Sequence, residues 1–236
     1  MRQVRLPMTN PTPTKTITGE TISRDWLEAS CASSPLIFEQ CDFDGCDLSR
    51  LKLHGTEFKN CSFVETVLFA TDLSQTSWRG CRGRQADFEA ADLTDAQFLD
   101  CDLNNSTWRR AKLSSAAFKG CKLTGANFEE VACLGLSFED SLLVGADLKN
   151  MSFRKMRLVQ LDFSEAELSG CDFRDSVFEG GSLRNVHLKL ARFDGADLRE
   201  AELGGLKLPD TKAFKGATIS YRQAAQLLAE LGLNVA

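Results

Sequence analysis

Five of the nine cysteines in this 236-residue chain fall at a constant interval of 20: Cys41, Cys61, Cys81, Cys101 and Cys121. Thiols at fixed spacing can form disulfides, ligate a soft metal or fill a core. The count is odd, no CxxC pair exists, and the only histidines, His54 and His187, stand alone. A free cysteine otherwise behaves as a small buried hydrophobe. Core filling is the expectation, with no metal and no cofactor. The 33 Asp and Glu residues offer acid–base chemistry only if a cleft gathers them. No glycine-rich phosphate loop, no G-x-S-x-G and no Cys/His pair accompanies them. The residue types favour binding over catalysis, and the chain is not expected to be an enzyme.

What positions these groups is a second, shorter interval. From Phe38, every fifth residue to Leu208 is large and apolar: 33 of 35 positions are Phe, Leu or Trp, the exceptions being Gly83 and Cys133. Two residues before each anchor sits a mostly small one, such as Ala86, Ala91, Ala96, Cys101 and Ser106. A period of five fits neither the helix nor the plain strand. It suits a chain that turns a corner in every unit, with anchor and small residue facing inward together. The remaining positions are rich in Asp, Asn, Gly, Ser, Lys and Arg, as solvated turns require. Units this short bury a core only by stacking on their neighbours, so the repeat predicts a solenoid.

The units Ala91-Asp92-Leu93-Thr94-Asp95, Ala126-Asn127-Phe128-Glu129-Glu130 and Ala196-Asp197-Leu198-Arg199-Glu200 resemble the A(D/N)LXX unit of the pentapeptide repeat family. The resemblance covers about residues 36–210. It implies an all-β fold, a right-handed quadrilateral parallel β-helix with four pentapeptides per coil, here followed by a short C-terminal α-helix. Residues 20 apart then stack, so Phe38, Phe58, Trp78, Phe98, Phe118 and Phe138 form an aromatic ladder on one wall, and the five cysteines form a column inside one wall. At roughly 4.8 Å per coil the rod is roughly 40 Å long. Gly83 is the expected weak spot, either a packing defect filled by a neighbour such as Trp78 or a bend in the rod. Leu at this position is expected to stabilise an unbent coil.

Four segments follow. Residues 1–16 read as a flexible leader, 17–35 as an N-terminal partial coil and loop, 36–211 as the β-helix, and 212–236 as a C-terminal helix and strand. Ile17, Ile22 and Leu27 keep the five-residue step but lie one residue out of frame, so the stretch Glu28 to Pro35 is expected to absorb the offset as a loop. Past Leu208 the frame slips by one, to Phe214 and Ile219. Ser220 and Gln223 match a capping box. Ala224, Leu227, Leu228 and Leu231 fit one apolar helix face, Gly232 a helix stop, and Leu233-Asn234-Val235 a short strand. Such a helix must pack on something, either as a plain cap on the open sheet edge or as a two-fold dimer contact.

Net charge is −5, with −8 on residues 36–211, +1 before them and +2 after. That balance disfavours direct nucleic-acid binding. No stretch is long and apolar enough to span a membrane, and residues 1–15 lack the apolar run of a signal peptide, so a cytoplasmic location is expected. A basic band, Lys149, Arg154, Lys155 and Arg157, precedes an acidic one from Asp162 to Glu179. These bands are either a solvated face with alternating ion pairs or a docking surface for a basic partner. The tail from Tyr221 to Val235 resembles that of the Qnr and MfpA branch of the family. That resemblance implies a homodimer joined through Phe214, Tyr221, Ala224, Leu227, Leu228 and Leu231. It also implies a DNA-mimicking rod whose partner is a bacterial type II topoisomerase, DNA gyrase or topoisomerase IV, which it inhibits or protects from poisons such as fluoroquinolones or natural peptide toxins. Asp147, Asp162, Glu165, Glu167, Asp172 and Asp175 are the candidate contacts. The frame from 38 to 208 is unbroken, whereas plasmid-type Qnr proteins carry interrupting loops. The alternative is a generic scaffold for another protein, contacted through outward apolar residues such as Phe69, Leu99, Leu134, Val144 and Val159, or a stable rod with no partner beyond itself.

Overall fold

The computed structural model describes residues 15–30, 36–206, 211–230 and 232–235. Within them the chain winds as a right-handed, four-walled parallel β-helix. One wall carries nine short strands stacked in chain order: β1 (Thr16–Thr18), β2 (Ile37–Glu39), β3 (Glu57–Lys59), β4 (Ser77–Arg79), β5 (Gln97–Leu99), β6 (Ala117–Lys119), β7 (Ser137–Glu139), β8 (Arg157–Val159) and β9 (Val177–Glu179). Phe38 pairs with Phe58 and Phe58 with Trp78, the 20-residue register the repeat demands. The other walls are joined by isolated parallel bridges at the same spacing, such as Asp42 to Ser62 and Asp47 to Val67.

The anchors are buried at every described position except Cys133. Their rings stack coil upon coil: Phe98 on Phe118 at 4.6 Å, Phe88 on Trp108 at 4.1 Å, and Phe173 on Phe193 at 4.7 Å, all within 8° of parallel. Nearly every unit turns its corner on a residue with positive φ, which explains Gly45, Asn60 and Asp95 there. Cys41, Cys61, Cys81, Cys101 and Cys121 are free, buried thiols. Each donates to a main-chain carbonyl on the preceding coil, as Cys61 does to Phe38 and Cys81 to Phe58 at 3.4 Å.

Gly83 leaves no vacancy. A Cβ there would lie 3.0 Å from Leu103 Cδ2, and the Trp78 indole stands 4.7 Å from the Phe63 ring in the same region. The wall runs through it without a bend, with Gly83 N donating to Asp102 O at 2.7 Å. This favours the filled-defect reading, and the contact with Leu103 argues against the expectation that Leu would stabilise this position. The ladder instead loosens at Cys133, where β7 keeps one register pair with β8, Glu139 to Val159.

Both ends are closed by helices. Thr16 belongs to β1, not to a leader, and the rest of the expected leader except Lys15 lies outside the described residues. Ile17 pairs with Phe38 across 21 residues, which is the one-residue offset. The expected loop begins as a helix, α1 (Arg24–Ser30), because Ser23 Oγ caps it by accepting from Trp26 N at 3.3 Å. Residues 31–35 lie outside the described residues. Leu27 of α1 is buried, Trp26 meets Phe38 edge-on at 6.0 Å, and the Arg24 guanidinium donates to the carbonyls of Asp47 and Ser49 at 3.0 and 3.1 Å.

At the other end Phe214 stacks on Phe193 at 4.8 Å, and Asp197 bridges Thr218, so the last coil also spans 21 residues. α2 (Tyr221–Glu230) follows with the capping box formed: Ser220 N donates to Gln223 Oε1 at 2.6 Å and Gln223 N to Ser220 Oγ at 3.3 Å. Gly232, at φ 83°, ends it, with Gly232 N bonded to Ala229 O and Leu233 N to Leu228 O. Residues 233–235 form no strand; they are exposed, and no neighbouring edge pairs with them among the described residues.

Candidate functional site

Each unit turns three positions away from the core: the residue before the anchor, the residue after it, and the corner. An Asp just before the anchor braces its own turn by accepting the N–H two residues on, as in Asp47 from Ser49 at 2.9 Å and Asp87 from Glu89 at 2.8 Å. The repeated acid is therefore first a structural group.

The six candidate carboxylates divide along that line. Asp147 and Glu167 bridge each other on adjacent coils of one wall. Asp162 lies on the preceding wall, with Glu165 at its corner, and Asp172 and Asp175 lie beyond. The structure thus spreads the six over three walls and does not gather them into one patch. Asp147 braces Lys149 and salt-bridges its Nζ at 2.7 Å. Asp162 accepts from Ser164 N at 2.9 Å and Glu167 from Ser169 N at 3.0 Å. Asp172 is gripped by Arg174 at 2.5 Å, and this hydrogen bond to the guanidinium holds its carboxyl below the usual carboxylate range. Asp175 faces Arg154 at 3.9 Å. Glu165, at φ 62° on an exposed corner, makes no ion pair and no side-chain hydrogen bond among the described residues.

The basic band is largely neutralised. Arg157 binds Glu179 through two hydrogen bonds of 2.7 and 2.8 Å, and Lys149 and Arg154 are paired as above. Alternating ion pairs between neighbouring coils, such as Lys112 with Asp92 and Lys119 with Glu139, continue along the rod. Among the described residues no three His, Cys, Asp or Glu side chains are placed to hold a metal ion.

The tail residues part company. Phe214 belongs to its own core stack, and Leu227 is buried with Gln223 against the last coil. Gln223 Nε2 donates to the carbonyls of Leu198 and Ala201, both at 2.7 Å, and Glu230 accepts from Gly205 N at 3.1 Å. Tyr221 is 98% exposed and Leu228 40%, while Ala224 is half-buried. Leu231 lies outside the described residues. The one apolar face read from spacing is split, because the polar Gln223 turns inward to satisfy the carbonyls of the open coil. Of the outward apolar residues expected on the walls, Leu134 is exposed, whereas Phe69, Leu99, Val144 and Val159 are half-covered. Leu190, at a corner with φ 64°, is a second exposed one that spacing did not reveal.

A family model described as "Pentapeptide repeat region" matches residues 36–108 and 111–188, and one described as "Pentapeptide repeats (8 copies)" matches 91–129 and 182–212. Among solved structures, two trypsin-treated variants of QnrB1, a plasmid-mediated fluoroquinolone resistance protein, align with TM-scores of 0.61 and 0.59. Each is 24% identical and covers 94% of this chain and 98% of its own. HetL, a pentapeptide repeat protein involved in heterocyst differentiation regulation from the cyanobacterium Nostoc, aligns at TM-score 0.42 and 18% identity over 83% of this chain and 94% of its own. No curated protein matches the sequence.

Proposed function

This chain belongs to the pentapeptide repeat family, and from that premise we propose that it is a non-enzymatic DNA mimic. Its partner is a bacterial type II topoisomerase, gyrase or topoisomerase IV, which it modulates or shields from topoisomerase poisons. The observation that carries the reading is the near full-length likeness of the rod to QnrB1, over 94% of this chain. The repeat region's charge of −8 fits the same reading. A rod with carboxylates at every coil presents charge at intervals of roughly 4.8 Å, a spacing a DNA-binding saddle can accept in place of phosphates. Complementary charge of this kind sets the encounter rate and register more than the affinity.

Of the six acidic candidates, Glu165 is the one free to contact a basic saddle directly. Asp147, Asp162, Glu167 and Asp172 contribute field while bracing their turns, and Asp175 shares its charge with Arg154. The proposal includes a homodimer formed through the outward side of the tail. Five of the nine exposed large apolar residues among the described residues lie there: Ile219, Tyr221, Leu228, Leu233 and Val235. It also includes a cytoplasmic location, where such enzymes act. Among the described residues no helix is long and apolar enough to cross a membrane.

The test is a supercoiling assay with purified gyrase, with and without a poison. Inhibition, or rescue from the poison, is expected at micromolar dimer. Unchanged activity in both arms overturns the reading. One observation favours the alternative of a scaffold for a different protein: Leu134 and Leu190, on the walls and not the tail, are 86% and 81% exposed.

A further inference from the structure

The coil containing Cys133 is not bonded to the next in the way its neighbours are. Before it, Leu113 N donates to Ala132 O at 2.7 Å and Ser115 N to Leu134 O at 2.8 Å. After it, Phe153 N donates to Asp172 O at 2.8 Å and Lys155 N to Arg174 O at 2.9 Å. The equivalent bonds from Cys133 to Ser152 and from Gly135 to Arg154 are missing, as is the one from Ser152 back to Val131. The preceding wall keeps the bond from Phe128 N to Asp147 O at 2.9 Å, and the opposite wall keeps the one from Leu143 N to Asp162 O at 2.7 Å. All these residues are described ones.

Ring contacts and ion pairs also lapse here, while the Leu143, Leu148 and Leu158 anchors keep the core itself continuous. One set of ring contacts runs from Trp26 to Phe138 and a second from Phe153 to Phe214, and no ring pair spans them. No ion pair among the described residues crosses either: Lys119 reaches Glu139 before the break, and Arg154 reaches Asp175 after it.

The cause lies in side-chain size. Regular coils place a large anchor beside a small inward residue. Here the anchor is Cys133, while Val131, Leu136, Met151 and Met156 occupy positions that Ala, Cys, Ser or Thr fill in most units. A short anchor beside bulky inward residues breaks the size matching by which neighbouring coils pack.

We propose that this seam is a hinge. The rod consists of two stiff stacks that open on the Cys133 wall and pivot about the opposite wall, where the ladder is continuous. Bending swings the C-terminal stack, carrying Asp162, Glu165, Glu167, Asp172 and Asp175, relative to the N-terminal one. The hinge does not depend on which partner the rod binds.

Hydrogen exchange on the full chain tests the opening. The amides of Cys133, Gly135 and Ser152 exchange on the order of 100-fold faster than those of Leu113, Ser115 and Phe153. Equal protection overturns the proposal. Spin labels carried on non-cysteine side chains in place of Ser114 and Arg174, on one wall across the seam, test the motion. Their distance distribution is broader than that of labels replacing His54 and Ser114, three coils apart within one stack. Equal widths overturn the hinge. The double change Cys133→Leu and Met156→Ala restores the size pattern, narrows the distribution and slows exchange at Gly135. A variant that folds yet stays as broad contradicts the proposal.

Discussion

Gly83 and Cys133 break the same pattern with opposite results, and the difference lies in their neighbours. At Gly83 the flanking small positions hold Cys81 and Ala86, so Leu103 and Trp78 close over the gap. Gly83→Leu must displace Leu103 from 3.0 Å, and overpacking of this kind costs about 1–3 kcal/mol. Urea unfolding of the variant is expected to show a lower midpoint. An unchanged or higher midpoint contradicts this packing. The buried thiols give a second test. Burial pushes Cys171 up to about 12 from its ordinary value of 9.0. Since the unfolded thiol ionises first, its contribution to stability is complete below about pH 9 and is lost as pH rises towards about 12. Cys171→Ala, which keeps a residue common at that position, is expected to lose stability less steeply over that window. Parallel curves for the two proteins contradict the assignment.

The walls were legible from spacing because one inward anchor per corner is a rule every unit obeys independently. The ends were less so. The capping box of Ser220 and Gln223 could be read, but the inward turn of Gln223 depends on the carbonyls of Leu198 and Ala201, which only the finished coil brings within its reach. α1 carried a signal in Ser23, masked by the five-residue step of Ile17, Ile22 and Leu27 running into it. The seam is written in the sequence as oversized residues at small positions, a weaker signal than the regular anchors beside them. The six acidic candidates came from their order along the chain, and four coil walls scatter what a linear reading groups. Gln223→Ala removes two buried hydrogen bonds and the cap at once, and an unsatisfied buried group costs about 1–3 kcal/mol. It is expected to lower the thermal midpoint and loosen α2, seen as lost far-UV helix signal before the β-signal falls. A single coincident transition at the wild-type midpoint contradicts that role.

At the scale of the molecule, the two ends are unlike. The N-terminal end is covered by α1, with Leu27 and Trp26 turned onto the first coil. α2 covers the C-terminal end but turns Tyr221 and Leu228 outward. Leu228→Asp, at an exposed site, is expected to halve the mass seen by light scattering while leaving the fold intact. Equal masses make α2 a cap alone. The central proposed property of the long, acidic rod is competition with DNA for a basic saddle. The most direct measurement is displacement of fluorescent duplex DNA from purified gyrase by this protein, at two salt concentrations and with Glu165→Lys as the comparison. Complete displacement, weakened by salt and by the Glu165 change, is the predicted result. DNA that stays bound at saturating protein, or a complex holding both together, would contradict it.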